Sequence, residues 1–369
     1  MKNPSEKEKF LFIAPRYHTN LTPMLAALRE HGHDVEIFTL HRLVQEDTEQ
    51  FTPEVFGYAS IFGIFQKISG EKLIGNDFLR RFGFPPLFQF FHALKERSPD
   101  VIVIRDITNV LSVVSLVFGR WILKKEIVVL LQVNDTTAQK KKKSIKLAGK
   151  LFNAKVVTPL FVSPKTLEAI PNLCVIPFVM KPFQGNRTYF SGDRVNILSI
   201  GKYMPNKGQE VLLEAVSKLP DDVSFHLTFA GASADETYFE VLQSFAKEKK
   251  LEEKITWKKD LPWEEAKKEY EKNDVFVLPT LHEPASISVL EAMGFGLLAI
   301  SSDGNGTSCY IKDGENGCVF QTRNTEDLKS KLEILLKDRE KIVKMGSAAQ
   351  ETVREIHSPE KFYEKFIAL

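Results

Sequence analysis

DVFVLPTLHEPASISVLEAMGFGLLAI, residues 274–300, reads in order as strand, loop, helix and strand. The apolar run from Asp274 to Leu278 closes at Pro279 and Thr280, and a helical pattern opens near Ser286 or Ser288 with Val289, Leu290 and Met293 on one face. A second apolar run, Leu297 to Ser301, follows. Two glutamates, Glu283 and Glu291, with seven residues between them, flank the helix start. Backbone N–H groups are free at a helix start and favour anions, which is why α/β proteins hold phosphorylated ligands in this geometry.

The same alternation extends toward the N-terminus. Val195 to Ile200 reads as a strand, Gln209 to Lys218 as a helix, Ser224 to Ala230 as a strand, Glu236 to Lys249 as a helix and Ile255 to Lys258 as a strand. An independent series opens the chain: strand Phe10 to Ala14, helix Leu21 to His31, then strands Val35 to Leu40, Val101 to Ile104 and Ile127 to Leu131. Between the series, Val175 to Ser191 carries Pro177, Pro182 and Gly185 without periodicity and reads as a linker. The fold class is therefore α/β: two Rossmann-like domains with a cleft between them. Their expected bounds are 1–180 and 181–356. A final segment, 357–369, has Phe362, Tyr363 and Phe366 at helical spacing, and either packs back on the first domain or caps its own.

A chain of 369 residues, 43% hydrophobic and 27% charged, is globular and long enough for two cores. The formal charge of +2 gives no global reason to expect nucleic-acid binding. Cys174, Cys309 and Cys318 form no CxxC pair and no pattern with nearby histidines, and read as reduced thiols rather than metal ligands. The N-terminal apolar run of five residues is too short for a signal-peptide core, and no run of about twenty apolar residues occurs, so a cytoplasmic protein is expected.

Two further loops bear on ligand binding. GKYMPNKG, Gly201 to Gly208, lies between a strand and a helix; its glycines permit tight turns, and Lys202 and Lys207 place cations where a diphosphate could sit. Alone it is a weak motif. SSDGNGTSCYIKDGENGCVF, Ser301 to Phe320, has Gly304 and Gly306 where backbone can approach a ligand, while Asp313-Gly314 and Asn316-Gly317 look like hairpin turns. Three ligand-competent loops at the ends of strands of one domain are a stronger signal than any one of them. A carboxylate accepts hydrogen bonds from vicinal hydroxyls, which suits Glu291 to a ribose and Glu283 to a sugar. The competing reading is a surface glutamate and a salt-bridged one.

On these residues, the stretch from about Asn196 to Phe320 resembles the nucleotide-sugar domain of retaining glycosyltransferases of the GT-B fold, glycosyltransferase family 4 (glycosyl transferases group 1). The family's Gly-Arg, three variable residues and Lys-Gly appears as Gly201, Lys202, Tyr203 to Asn206 with one extra position, Lys207 and Gly208. Its E-x7-E falls on Glu283 and Glu291, followed by Ala292-Met293 and Gly296. The resemblance implies a hexosyltransferase that moves a sugar from a UDP- or GDP-linked donor to a glycan or lipid-linked acceptor in polysaccharide or cell-envelope glycan synthesis. It implies donor binding by Gly201, Lys202, Lys207, Glu283, Ser286, Ile287 and Glu291, with Lys202 and Lys207 on the diphosphate, Glu283 on the donor sugar, Ser286 and Ile287 giving N–H groups to phosphate, and Glu291 on the ribose. Lys202, Lys207 and Glu283 would be catalytic. The segment Trp257 to Leu261 would lie near the base. Lys202 stands for the usual arginine, keeping charge but losing the bidentate fork. Cys309 stands where many relatives have glutamate and receives no role. No DxD-type metal motif is evident, so no metal or other cofactor is expected; two lysines and a helix start can substitute.

The N-terminal half resembles the family mainly in the order of its elements. Arg105 and Asn134 stand at strand ends where relatives often carry histidine. Aromatic residues crowd the region from Phe51 to Phe91, among them Phe56, Phe62, Phe65, Phe78, Phe82, Phe84, Phe88 and Phe90, interleaved with Lys67, Lys72, Arg80 and Arg81. QKKKKSIKLAGKLF, Gln139 to Phe152, sets Lys140 to Lys143, Lys146 and Lys150 beside Ile145, Leu147 and Leu151. Such segments either lie on an anionic membrane, at the inner face of the cell membrane, or are core phenylalanines and a solvated lysine face. Two alternatives to a transferase stand beside it. One is another GT-B enzyme, an epimerase or a phosphorylase, and no lysine is identifiable as a pyridoxal-phosphate anchor. The other is a non-catalytic glycan-binding subunit, against which the intact lysines and glutamates argue. No GxGxxG follows the first strand, which argues against a NAD-dependent oxidoreductase.

Overall fold

The computed structural model describes residues 6–17, 19–41, 50–62, 76–185 and 187–369, without the side chains of Thr19, Asn76, Asp77 and Arg80. Phe65, Lys67, Lys72 and the Arg80 side chain, part of the aromatic and basic region expected at a membrane, lie outside the described residues. The chain divides into two compact units, Met1–Val179 with Pro359–Leu369, and Met180–Ser358.

Among the described residues the first unit holds seven strands: β1 (Lys9–Arg16), β2 (Asp34–His41), β3 (Glu54–Val55), β4 (Val101–Arg105), β5 (Glu126–Leu130), β6 (Lys155–Thr158) and β7 (Leu173–Val175). Their order is β3-β2-β1-β4-β5-β6-β7, and every pairing is parallel. Parallel strands are covered on both faces, so β1 buries Phe10 to Ala14 without alternation. Strand β6, only KVVT, and the edge strands β3 and β7 are too short to stand out by periodicity and were not expected.

The second unit holds β8 (Val195–Ile200), β9 (Phe225–Gly231), β10 (Ile255–Lys259), β11 (Val275–Leu278), β12 (Leu298–Ser302) and β13 (Cys318–Phe320). The order is β10-β9-β8-β11-β12-β13, again wholly parallel. Both sheets are doubly wound Rossmann-like layers, as the alternating strands and helices predict. The Asp313 to Gly317 stretch corrects one expectation. It is not a hairpin, because β12 and β13 pair in parallel; Gly314 N–H donates to Gly317 O at 2.9 Å inside a local loop that feeds β13. Lacking regular structure as expected, the linker is nonetheless partly buried: Phe178 and Val179 in the first unit, Met180 in the second.

The C-terminal helix, Pro359–Ile367, belongs to the first unit, where Phe362 and Phe366 are buried beside Phe10 and Leu28. Between the two outcomes left open for this segment, the contact falls on the first. Tyr363 stacks on His31 with ring centroids 3.7 Å apart and shares a 2.9 Å hydrogen bond with His33 Nε2. Glu8 N–H donates to His33 Nδ1 at 3.1 Å, so this ring is the neutral tautomer with its proton on Nε2, donated to the Tyr363 oxygen.

Burial holds the His33 pKa below its ordinary 6.5, an effect that the nearby charge of His31 supports and Glu8 opposes. The unfolded chain therefore takes up the proton first. The stability contributed by neutral His33 is complete above that value and falls as pH drops through it. Amide exchange of residues 359–367, corrected for intrinsic rates, is expected to be faster at about pH 5.5 than at about pH 7.5, with the exchange of β8 to β13 unchanged.

Candidate functional site

In the second unit, strand order reverses between β8 and β11, so the loops that follow these strands leave the sheet side by side. Open α/β sheets bind ligands in that crevice. The loop after β8 is Gly201 to Gly208, and the loop after β11 carries Glu283, so both motifs sit at the switch point. The two loops are laced together. Asn206 O accepts from Thr280 Oγ1 and from Leu281 N–H, each at 2.9 Å, and Asn206 Nδ2 donates to His282 O at 2.8 Å. Gly208 has φ +66°, and a Cβ there would stand 2.2 Å from Pro279 O, so glycine is required both by backbone conformation and by the approach of the second loop.

The glycine loop after β12 joins the same edge. Glu283 N–H donates to Gly304 O at 3.0 Å and Gly306 N–H donates to Glu283 O at 2.9 Å. Asn305, to which the sequence reading gave no role, is 1% exposed and braces the arrangement. Its Oδ1 accepts from Ser286 N–H at 3.2 Å and from Thr307 Oγ1 at 2.8 Å. The three loops are therefore one hydrogen-bonded body.

The charged side chains divide into two groups. Lys207 Nζ donates to Glu283 Oε1 at 2.7 Å, with both side chains largely buried, while Glu283 Oε2 is buried with no hydrogen-bond partner. Lys202 is exposed and makes no ion pair with any described residue; its carbonyl accepts from Gln209 Nε2 at 2.9 Å. Within this loop Tyr203 is fully buried, and its hydroxyl proton is shared between Phe229 O and Lys258 O at 3.0 and 2.9 Å, which fixes the loop to the sheet.

Ser286 is the N-cap of the Ile287–Gly294 helix. Its amide, expected to face a phosphate, is instead bound by Asn305 Oδ1 and Thr307 Oγ1, at 3.2 and 3.1 Å. The amides this helix start leaves without intrahelical acceptors are those of Ile287 and the next residues. One turn on, Glu291 Oε2 accepts from the Tyr270 hydroxyl at 2.7 Å. Tyr270, fully buried on the Trp263–Lys272 helix, escaped the sequence reading because a lone tyrosine on an amphipathic helix carries no motif. Trp257, expected near a base, stacks on Phe229 with centroids 4.9 Å apart and packs against the core, leaving the loop beyond it for any ligand. Cys309 lies exposed in the Gly306–Tyr310 turn.

Residues 182–352 match the family model described as Glycosyl transferases group 1, and this part of the chain is a domain of that family. A GDP-mannose-dependent alpha-(1-6)-phosphatidylinositol monomannoside mannosyltransferase of Mycolicibacterium smegmatis is 26% identical over 173 residues, 44% of each chain. A sulfoquinovosyl transferase of Arabidopsis thaliana is 30% identical over 42% of this chain and 29% of its own. The chain thus spans less than half the length of these curated relatives. In fold, the whole chain is similar to Anabaena HepE solved with UDP and glucose, TM-score 0.72 at 15% identity, covering 98% of each chain. It is similar also to a glycosyltransferase of Rickettsia africae, TM-score 0.72 at 14% identity, covering 98% of this chain and 97% of the other. These neighbours have the GT-B fold, and so does this chain.

Burial pushes the Glu291 carboxyl up to about 7, and the Tyr270 hydrogen bond works against that rise. In the ligand-free chain, carboxyl NMR is expected to find one glutamate titrating near neutrality, and Tyr270→Phe to raise it further by about one unit.

Proposed function

We propose that the chain is a retaining glycosyltransferase of family 4 that moves a hexosyl group from a nucleotide-diphosphate sugar to a glycan or lipid-linked acceptor, in the assembly of polysaccharide or cell-envelope glycan. The observation that carries the reading is the paired Lys207 and Glu283 with the orphaned Glu283 Oε2, set beside a helix start at the sheet's switch point. An acceptor atom buried without a partner calls for a donor, and a hydroxyl of the donor sugar supplies one. Lys207, Lys202 beside Gly201, and the amides from Ile287 on face the diphosphate. Glu291, oriented by Tyr270, takes the vicinal hydroxyls of the ribose. The names of the relatives support the class: one acts from GDP-mannose, and HepE was solved with UDP and glucose. UDP and GDP donors both belong to it.

Breaking the bond from the anomeric carbon to the phosphate oxygen leaves positive charge on the sugar and negative charge on the diphosphate. Cations and amides already in place stabilise that separation more than they stabilise the ground state. On this reading the leaving phosphate oxygen takes the proton of the acceptor hydroxyl on the face where it departs, which retains configuration and needs neither a protein nucleophile nor a metal. A panel of UDP- and GDP-sugars scored for nucleotide release tests the reading. One donor is expected to turn over, and Lys207→Ala and Glu283→Ala to slow it by about a hundredfold. Wild-type turnover in both variants would overturn the assignment.

A second proposal concerns where the enzyme works. Among the described residues no helix is long and apolar enough to cross a membrane. The Asp135–Phe152 helix instead buries Ala138, Ile145, Ala148 and Phe152 and exposes Leu147 and Leu151, with Lys143, Lys146 and Lys150 around them. Trp121 and Ile122, both more than half exposed, extend the patch, since Trp121 Nε1 donates to Leu151 O at 3.0 Å. We propose peripheral binding here to the anionic cytoplasmic face of a membrane, each lysine contributing about 1 kcal/mol. Salt-sensitive sedimentation with anionic but not zwitterionic vesicles is expected, and its loss when these three lysines are changed to glutamine. Binding that ignores both salt and substitution would sink the idea.

A further inference from the structure

Every strand pairing in the second unit is parallel, so the loops after β9 and β10 leave the sheet on the edge that carries Lys207 and Glu283. Backbone contacts tie them to the lysine loop. Asp260 N–H, just past β10, donates to Gly231 O at 3.0 Å, and Gly201 N–H donates to Ala230 O at 2.9 Å. A Cβ at Gly231 would stand 1.9 Å from Gly201 O, so glycine lets the loop after β9 close onto the loop after β8. Burial pushes the Tyr203 hydroxyl up; its hydrogen bond to Lys258 opposes the rise and the charge of Asp260 adds to it. The Asp260 carboxylate is thus felt within the Gly201 to Gly208 loop.

This carboxylate is exposed, and among the described residues no donor holds it. The two lysines before it are engaged elsewhere, Lys258 with Glu269 at 2.8 Å and Lys259 with Glu236 at 2.7 Å. Nor does the turn need this side chain. Asp260 has φ +52°, a conformation that glycine takes without strain.

Three residues on, Trp263 opens the Trp263–Lys272 helix. It is 47% exposed, and its ring centroid lies 6.5 Å from that of Tyr270, whose hydroxyl donates to Glu291 at 2.7 Å. An open aromatic face therefore adjoins the carboxylate assigned to the ribose, while an unpaired carboxylate adjoins the loop assigned to the diphosphate. The base of a nucleotide held by those two groups has only the loop after β10 left to meet.

We propose that Asp260 and Trp263 read the base of the donor nucleotide and select guanine, so that the donor is a GDP-sugar. The proposal rests on the transferase reading for the presence of a nucleotide and adds which one it is. Guanine carries two adjacent donors, N1–H and the N2 amino group, and one ionised carboxylate accepts from both. Uracil offers a single N–H between two carbonyls, which repel a carboxylate, and adenine sets an acceptor beside its amino group. Trp263 supplies a stacking face that any base can use and that a purine covers more fully. Asp260 thus sets selectivity, and Trp263 sets affinity for nucleotides in general.

The test is calorimetric titration of the full chain with GDP, IDP, UDP and ADP. GDP is expected to bind about tenfold or more tightly than UDP or ADP, with IDP, whose base lacks the N2 amino group, in between. Asp260→Asn is expected to weaken GDP by about tenfold or more without weakening UDP. Trp263→Ala is expected to weaken all four by a similar factor, about tenfold, and Trp263→Phe to recover most of the loss. UDP or ADP binding as tightly as GDP, a GDP preference that survives Asp260→Asn, or undiminished binding by Trp263→Ala overturns the proposal and leaves the transferase reading standing. Binding of none of the four nucleotides overturns both, so the two failures are told apart.

Discussion

The adjacency of β8 and β11 is the constraint on which the candidate site depends. Val275 pairs with Ile197 and Phe276 with Leu198, in parallel, so both strands deliver their loops to the same edge. Nothing in either loop could achieve this alone. Once the strands are paired, the Asn206 carbonyl meets Thr280 and Leu281, and Gly208 must lack a side chain because Pro279 O would lie 2.2 Å from its Cβ. This glycine therefore serves loop-on-loop packing.

The same adjacency makes the ion pair of Lys207 and Glu283. Both side chains are largely withdrawn from water, where the desolvation cost of two charges rivals their attraction. Their geometry satisfies one carboxylate oxygen and leaves the other without a partner. Losing one member of such a pair strands the other and costs about 3–5 kcal/mol. The arrangement is poor as a device for stability alone, and its cost makes sense where a ligand supplies the missing hydrogen bond.

Much of this was legible in the sequence because the informative segments are long apolar runs broken by proline and glycine. Strands β8, β9, β10, β11 and β12 are found within one or two residues of their expected positions. What escaped is short or tertiary. Strand β6 is four residues, and β3 is two, too little for periodicity to act on. The turn glycines near Asp313 suggested a hairpin because local turn chemistry is blind to strand direction, which the parallel pairing of β12 with β13 decides. Among site residues, those carried by loop motifs were visible, whereas Tyr270 and Asn305 act through a fold that only the complete sheet creates. The dense phenylalanines of the first unit show the same limit: Phe51, Phe62 and Phe90 are core, while Phe78, Phe82 and Phe88 are exposed, and no composition separates them.

The two units repeat one architecture and close its edge with different side chains. At the β8–β11 edge both carboxylates are already held, Glu283 by Lys207 and Glu291 by Tyr270, while Glu283 Oε2 keeps no hydrogen-bond partner and Lys202 stays exposed. At the β1–β4 edge, Arg105 is tied to Asn20 in the turn after β1, and Asp106 is held by its own loop. The same switch-point geometry thus presents different chemistry in each unit, and the residues that close the strands, rather than the sheet, make the difference.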